Sequence, residues 1–278
     1  MSYNIPDYVK LWDDMIERSS AQKRTTRDDS LSFWDDPVNV DNFVHRLQYN
    51  DRTRIEHQLS SMQIPQGSSV LDIGSGPGTL AVPLAQSGCS VTVVEPSLLM
   101  VNAMEKYRTL VGSRPIRVIQ KEWESAQPDE IGTHDYVIAS LSLMMGNIRE
   151  SLLKMNTAAT HAVHLFWFLV PPSFSRGNCD LWPLLHGEPY CYEPTADMLW
   201  NVLFQLGIHA NLIVETKKSG SNYHGIDELR LDYYTRLLAK TDEQKEIVNK
   251  YLEERMIKTE QGCAMPGNAK TAHIWWEK

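Results

Sequence analysis

The chain has 278 residues, 42% hydrophobic and 22% charged, enough to bury a large core in one or two domains. A formal net charge of −8 and a pI near 5.6 leave no general electrostatic footprint for nucleic acid. Basic residues gather at Lys23, Arg24 and Arg27 and again at Arg46, Arg52 and Arg54, but interleaved acids make these solvated helix faces rather than a phosphate track.

Met1–Asn4 has no basic start and no apolar core of a signal peptide, and the longest apolar run, Ala162–Pro172, is too short to cross a bilayer. A cytoplasmic setting with reduced thiols is expected, since Cys89, Cys179, Cys191 and Cys263 are scattered with no C-x-x-C pair. A zinc site from Cys179, His186 and Cys191 matches no ligand spacing, so no metal is expected.

Residues 1–64 read as an N-terminal helical extension. Tyr8, Trp12, Met15 and Ile16 recur at helix spacing, as do Phe43 with Leu47 and then Ile55, Leu59 and Met62. Ser32-Phe33-Trp34-Asp35 is its most aromatic stretch, and Pro65-Gln66-Gly67 ends the helical pattern. From Ser69 strand and helix alternate, which predicts a parallel sheet covered on both faces.

The first strand runs into Asp72-Ile73-Gly74-Ser75-Gly76-Pro77-Gly78, and a helix follows from about Thr79 to Gly88, with Pro83 near its first turn. Strand, glycine turn and helix present backbone N–H groups and a helix N-terminus to a ligand. A dinucleotide fingerprint would need glycine at position 79, where Thr79 stands, and a P-loop is excluded because no Gly-Lys-Ser/Thr follows. Asp-x-Gly-x-Gly-x-Gly resembles motif I of the class I S-adenosylmethionine-dependent methyltransferases. The second strand, Val91–Val94, ends in Glu95, where an acid can accept hydrogen bonds from both ribose hydroxyls; the resemblance implies that role. Pro96 follows, and Ser97 can cap the next helix, which is expected to turn Leu98, Val101 and Met104 inward.

Ile116–Gln120 reads as the third strand. In the resembling family an acid just after it receives the adenine amino group and the next residue offers its backbone; Glu122 and Trp123 match that place, and an indole can also flank a purine. Asp135–Ser140, the fourth strand, looks like motif II, and its end continues through Leu141, so Ser140 and Leu141 join the cofactor set. Asn/Asp-Pro-Pro-aromatic, Pro-Cys, a paired-glutamate loop and an Asp-Asp-Asn metal set are all absent, which leaves resemblance to the small-molecule branch.

A helix over Arg149–Met155 precedes a fifth strand, His161–Leu169. The proline- and aromatic-rich stretch Pro171–Pro194, holding Phe174, Trp182, His186, Tyr190 and Tyr192, reads as a long loop. An amphipathic helix over Thr195–Leu206 stops at Gly207, and Ile208–Thr216 is a sixth strand. Roughly fifty residues then carry two helical patterns, the second opened by a Thr241–Gln244 capping box, before a final strand at Thr271–Trp276.

The expected fold is therefore α/β: a Rossmann-like, seven-stranded, mostly parallel sheet with strand seven antiparallel, in a single domain spanning 1–278. Its parts are the extension (1–64), the cofactor-binding core (65–217), a helical cap insertion over the acceptor pocket (218–262) and the final strand (263–278). The resemblance implies S-adenosylmethionine as cofactor, held by Asp72, Gly74, Ser75, Gly76, Pro77, Gly78, Glu95, Pro96, Ser97, Glu122, Trp123, Ser140 and Leu141, with Trp34 covering the methionine end. Asp72 would orient the glycine turn and the methionine amino group. Acceptors that hold their proton tightly need a base, for which His186, Tyr190, Tyr223 and His224 are the candidates. A small-molecule acceptor is the expected partner, nucleic acid and membrane are not, and a homodimer is left open. A non-catalytic S-adenosylmethionine binder and a nicotinamide-dependent oxidoreductase remain as alternatives.

Overall fold

The computed structural model describes residues 5–24, 33–50, 52–171, 173–260 and 262–278. Ser32 and Arg27, named above, lie outside the described residues, as do the side chains of Lys23, Arg24, Phe33, Arg46, Leu47, Arg52 and Phe174.

Apolar residues at helical spacing produce α1 (Tyr8–Arg24), α2 (Pro37–Asn50) and α3 (Arg52–Met62), with a 3-10 turn at Phe33–Asp35 between the first two. On α1 the pattern resolves to Trp12, Ile16, Ser19 and Gln22, all buried. The β-branched runs then form strands at the expected places, with helices between them and a short one, α6, not expected from the sequence: β1 (Ser69–Ile73), α4 (Ala81–Gln86), β2 (Ser90–Val94), α5 (Leu98–Leu110), β3 (Arg117–Ile119), α6 (Pro128–Ile131), β4 (His134–Ser140), α7 (Ile148–Ala158) and β5 (Ala159–Phe168). Gly88, at φ +105, sits just past the end of α4, and the Ser97 hydroxyl accepts the Met100 N–H at 3.3 Å to cap α5. On α5 the inward residues are Met100 and Met104; Leu98, expected inward, is 53% exposed because it occupies the first helical position, ahead of the buried stripe.

The stretch expected to be a loop is instead α8 (Ser173–His186). Asn178, Leu181, Trp182 and Leu185 fall at i, i+3, i+4 and i+7 and are buried, so a helical period lay beneath the aromatic composition. Pro183 is tolerated close to the C-terminal end. The rest follows as α9 (Ala196–Gln205), β6 (Asn211–Tyr223), α10 (Ile226–Leu237), α11 (Asp242–Arg255), β7 (Ile257–Thr259) and β8 (Gly262–Glu277). The capping box opening α11 is formed, with Gln244 N–H on Thr241 Oγ1 at 3.2 Å. Both late strands run longer than their apolar patterns: polar residues 217–223 extend β6, and β8 starts at Gly262.

Among the described residues the sheet has eight strands rather than seven, in the order β3-β2-β1-β4-β5-β8-β6, with β7 hairpin-paired to β8 off that path. Strands β1 to β5 pair in parallel. The bonds Leu169 N–H to Lys270 C=O and Lys278 N–H to His161 C=O, both 2.8 Å, run β8 antiparallel to β5.

Two compact units arise, each built from three chain segments. One comprises Asp28–Trp167, Trp200–Leu212 and His273–Lys278. Its core packs Val70, Val91, Val93, Ile138 and Phe166 of the strands against Leu80, Val82 and Leu84 at α4 and Met104 of α5. The other comprises Met1–Arg27, Phe168–Leu199 and Ile213–Ala272, and its core joins Leu181, Trp182 and Leu185 of α8 with Leu229, Tyr233, Leu237, Val248 and Leu252 of α10 and α11.

In the first unit β5 and β8 meet through a buried histidine pair, His164 Nδ1 to His273 Nε2 at 2.9 Å, with Phe166 stacked on His273 at 4.3 Å. His164 Nε2 has no partner among the described residues, which favours His164 Nδ1–H as donor, because an unpaired acceptor is tolerated better than an unpaired donor. Burial pushes His164 down to about 3, with the His273 charge adding, and His273 down to about 4, with His57 adding. Both rings fold as neutral imidazoles, so their contribution to stability is complete above pH ~6.5 and is lost as pH falls toward these values. In denaturant titrations between pH 7 and pH 4, the stability of the wild type relative to His164→Phe should fall by up to about 1.4 kcal/mol per pH unit for each additional proton taken up on unfolding. Parallel pH profiles for the two proteins would contradict the pairing.

Candidate functional site

β1 is buried and ends where its backbone must reverse into α4. The turn lies between the ends of its two neighbouring strands: Gly74 N–H donates to Val94 C=O at 2.7 Å, and Ser142 Oγ, just beyond β4, donates to Ile73 C=O at 2.6 Å. All three glycines have positive φ, but they serve two purposes. A Cβ at Gly74 would sit 2.4 Å from Ser142 Cβ, and one at Gly78 would sit 2.5 Å from Met104 Cγ and 2.8 Å from Val82 Cγ2. Those two make room for the protein's own packing. A Cβ at Gly76 meets nothing within 4 Å, so this glycine, at φ +54, faces open space.

Glu95 at the tip of β2 is 6% exposed and its carboxylate is engaged by backbone on both oxygens: Gly76 N–H to Oε2 at 2.9 Å and Ser97 N–H to Oε1 at 3.0 Å. Burial raises its pKa, the two N–H groups oppose that, and Asp35 adds to the rise. Asp72, 2% exposed, is pushed up to about 7, first by burial and then by the Glu95 charge, against an N–H from Ala81. Ser75 Oγ is buried without a protein partner among the described residues. Pro77 and Gly78 are buried, whereas Pro96 is exposed.

Ser97 Oγ donates to the Trp34 C=O at 2.6 Å, and the Trp34 ring, 37% exposed, rests on Phe43 at 4.9 Å. The Trp34 backbone therefore lies beside Ser97, which itself holds Glu95, at the start of α5. After β3 the Glu122 side chain is exposed, but the Trp123 indole does not stand ready to flank a purine. It is 3% exposed, its N–H donates to the Ser151 C=O at 3.3 Å, and Lys154 Nζ lies 4.2 Å above its ring. At this place the tertiary packing of α7 outweighs the loop position. Ser140 Oγ donates to Gln58 Oε1 at 3.3 Å, and Leu141 takes a left-handed conformation at φ +57.

Three contributions were not legible from the sequence. Arg54, read there as part of a solvated face, is half-buried and donates to Gln58 Oε1 at 3.0 Å, which brings a guanidinium toward the end of β4. The i, i+4 spacing of Arg54 and Gln58 was the available signal. Ser142 and Lys154 act on backbone distant in sequence and leave no local pattern.

The four base candidates belong to the other unit. His186 Nε2 lies 2.8 Å from the Leu237 C=O, which makes that nitrogen a donor, and its ring meets Trp182 at 4.3 Å. Burial, with Glu193 adding, pushes Tyr190 up to about 12. Tyr223 donates to Asp232 Oδ2 at 2.7 Å and is raised by burial and then by the Asp232 charge. Both tyrosines keep their protons at neutral pH, which opposes a base role. His224 is exposed, with its backbone N–H on Glu228 Oε2 at 2.7 Å. No cluster of three or more His, Cys, Asp or Glu poised for a metal occurs among the described residues, nor any helix long and apolar enough to cross a membrane.

Residues 70–160 match the family model described as "Methyltransferase domain". Over 219 residues the chain is 27% identical to an uncharacterized protein of Haemophilus influenzae, covering 78% of this chain and 79% of that one. Among solved structures it resembles the YcgJ protein of Bacillus subtilis, with a TM-score of 0.56 and 14% identity over 81% of this chain and 98% of that one. It also resembles a cyclopropane-fatty-acyl-phospholipid synthase-like protein of Lactobacillus casei, with a TM-score of 0.50 and 15% identity over 86% and 99% of the two chains. At these identities the structural likenesses speak for the shared fold.

The two kinds of glycine separate experimentally. Gly74→Ala and Gly78→Ala should each lose about 3 kcal/mol or more of stability, overpacking adding to left-handed strain, whereas Gly76→Ala should lose only about 1 kcal/mol. Equal destabilisation of all three in denaturant titrations would show that Gly76 is also a packing glycine.

Proposed function

We propose that this chain, whose residues 70–160 match a methyltransferase domain, is a class I S-adenosylmethionine-dependent methyltransferase that transfers the methyl group to a small-molecule acceptor. The observation that carries the reading is the cradle around Gly76. Open space at Gly76, a buried Ser75 hydroxyl without a partner among the described residues and the Glu95 carboxylate converge where the strand turns into the helix. That donor and acceptor set fits a nucleoside bearing hydroxyl groups and an amino acid tail.

Each oxygen of Glu95 holds one backbone N–H and keeps a second lone pair, so it can still accept a ribose hydroxyl. The turn Gly74–Gly78 would lie along the cofactor's middle, with Ser75 and Gly76 facing it and Pro77 and Gly78 fixing the turn from behind. Pro96 and Ser97 would shape the ribose side, where the backbone of Trp34 is anchored. Glu122, exposed after β3, would receive the adenine amino group, and Ser140 with Leu141 would flank the methionine portion. Asp72, deep at the base of the turn, supplies a negative pole for the amino group of that portion.

When bound, S-adenosylmethionine supplies a methyl group already activated by its sulfonium. The protein's part is then alignment and exclusion of water more than proton transfer. Acceptor lone pairs that are free at neutral pH need no base, which agrees with the protonated state of Tyr190 and Tyr223. Acidic net charge and the absence of the sequence patterns of base and protein methylation support a small, neutral or cationic acceptor.

Calorimetry tests the reading. S-adenosylhomocysteine should bind at micromolar concentration and NADH should not, with Glu95→Ala weakening the former; NADH binding, or binding of neither, would overturn it. Because Asp72 ionises near neutrality, affinity for the amine-bearing ligand should rise by up to about tenfold from pH 6 to pH 8 and stay flat in Asp72→Asn. A wild-type profile as flat as the variant's would remove Asp72 from ligand binding. Binding without turnover on any acceptor panel would mark a sensor instead of an enzyme.

A further inference from the structure

We infer that Lys154 is a positioning residue for the adenine end of the cofactor, acting through the loop that follows β3; this rests on the cofactor reading above. The loop between β3 and α6 is short and carries no strand or helix of its own. It closes by local bonds: Ser125 and Ala126 N–H both reach the Glu122 C=O at 3.1 Å, Ala126 N–H also meets the Trp123 C=O at 3.3 Å, and Gln127 Nε2 donates to the Ser125 C=O at 3.1 Å. Among the described residues these bonds leave the Glu124 and Ala126 carbonyls unengaged and hold the Trp123 carbonyl by one long contact.

Lys154, on α7, supplies what is missing. Its ammonium donates to the carbonyls of Trp123, Ala126 at 3.0 Å and Glu124 at 3.4 Å, and it sits 4.2 Å above the Trp123 ring. An ammonium has three N–H donors, and all three are spent on one loop. Its pKa is lowered by burial, the Glu124 charge opposing, so the ion occupies a half-desolvated place that its partners must offset. The ring beneath adds a cation–π contact and is itself pinned by the indole bond to Ser151.

The geometry sets the two sides of the loop apart. Carbonyls are drawn inward onto α7, while the N–H groups of Glu122 and Trp123 meet no protein acceptor among the described residues and the Glu122 side chain is exposed. A carboxylate and a backbone N–H with no protein acceptor among the described residues, side by side, match the amino donor and adjacent ring-nitrogen acceptor of an adenine edge. Lys154 touches neither ligand nor reacting atoms in this arrangement; it holds the backbone that does.

A base-specific binding measurement separates positioning from general support. S-adenosylhomocysteine and its analogue lacking the 6-amino group are titrated into wild type, Lys154→Met and Lys154→Arg, with melting temperatures recorded for each. Wild type should prefer the adenine compound by about 10- to 100-fold, the worth of a hydrogen bond to a charged group. Lys154→Met should weaken the adenine compound about tenfold or more and leave the analogue nearly unchanged, so the preference collapses. Lys154→Arg, which keeps the charge but not the tetrahedral set of donors, should fall between and reads the same ratio if the methionine variant does not fold. Equal losses for both ligands, or an unchanged ratio, would make Lys154 a purely structural residue. Failure of wild type to bind either compound would instead overturn the cofactor reading.

Discussion

Glu95 holds backbone N–H groups from two different turns, Gly76 on one oxygen and Ser97 on the other. One carboxylate thus ties the end of β1 to the start of α5, and its own strand lies between them. The bonds to two amides make burial of the charge tolerable, while the neighbouring Asp72, with only the Ala81 N–H to help it, responds by drifting toward neutrality. Two carboxyls a strand apart are separated in character by how many N–H groups each can recruit. The clamp holds Gly76 by its N–H, and the space on the side where a Cβ would stand is open.

What the sequence made legible was local. The strands were written as β-branched runs, the turn as alternate glycines, and helix starts as Ser97 and the Thr241–Gln244 box, because each is fixed by residues a few positions apart. Glu95 was legible for the same reason, standing at a strand end a fixed distance from the turn. What escaped was set by partners distant in the chain. Trp123 was assigned from its place after β3, yet Ser151 and Lys154 of α7 decide which way its ring points. Composition misled at α8, where prolines and aromatics concealed a helical stripe ending at Leu185. β6 extends beyond its apolar pattern because it pairs with β8, a partner distant in the chain.

Methyl transfer from a sulfonium asks little acid–base work of a protein, and the distribution of titratable groups is consistent with that. The strongly shifted side chains fall into three sets with different physics. Asp72 and Glu95 crowd each other beside the turn; His164 and His273 are neutral and interior; Tyr190, Tyr223 and Tyr251 are tyrosines raised by burial, of which Tyr223 donates to Asp232 and Tyr251 to Asp180. The first set lies beside the open space at Gly76 and the Ser75 hydroxyl, which is unpartnered among the described residues. The other two lie inside the apolar cores, where His164 with His273 and Tyr223 with Asp232 pair polar groups that burial would otherwise penalise.

The histidine bridge between β5 and β8 joins residues 109 positions apart in the chain. β5 is buried on both faces through most of its length, and without β8 it is the rim of the parallel sheet. Local pairings among β1, β2 and β3 can form early, but this closure must wait for a long excursion of chain to return. During synthesis and refolding, the interval before that return leaves an apolar, hydrogen-bond-hungry edge in water. The same strand that completes the sheet is therefore also its safeguard against self-association, and the vulnerability of the molecule is one of timing.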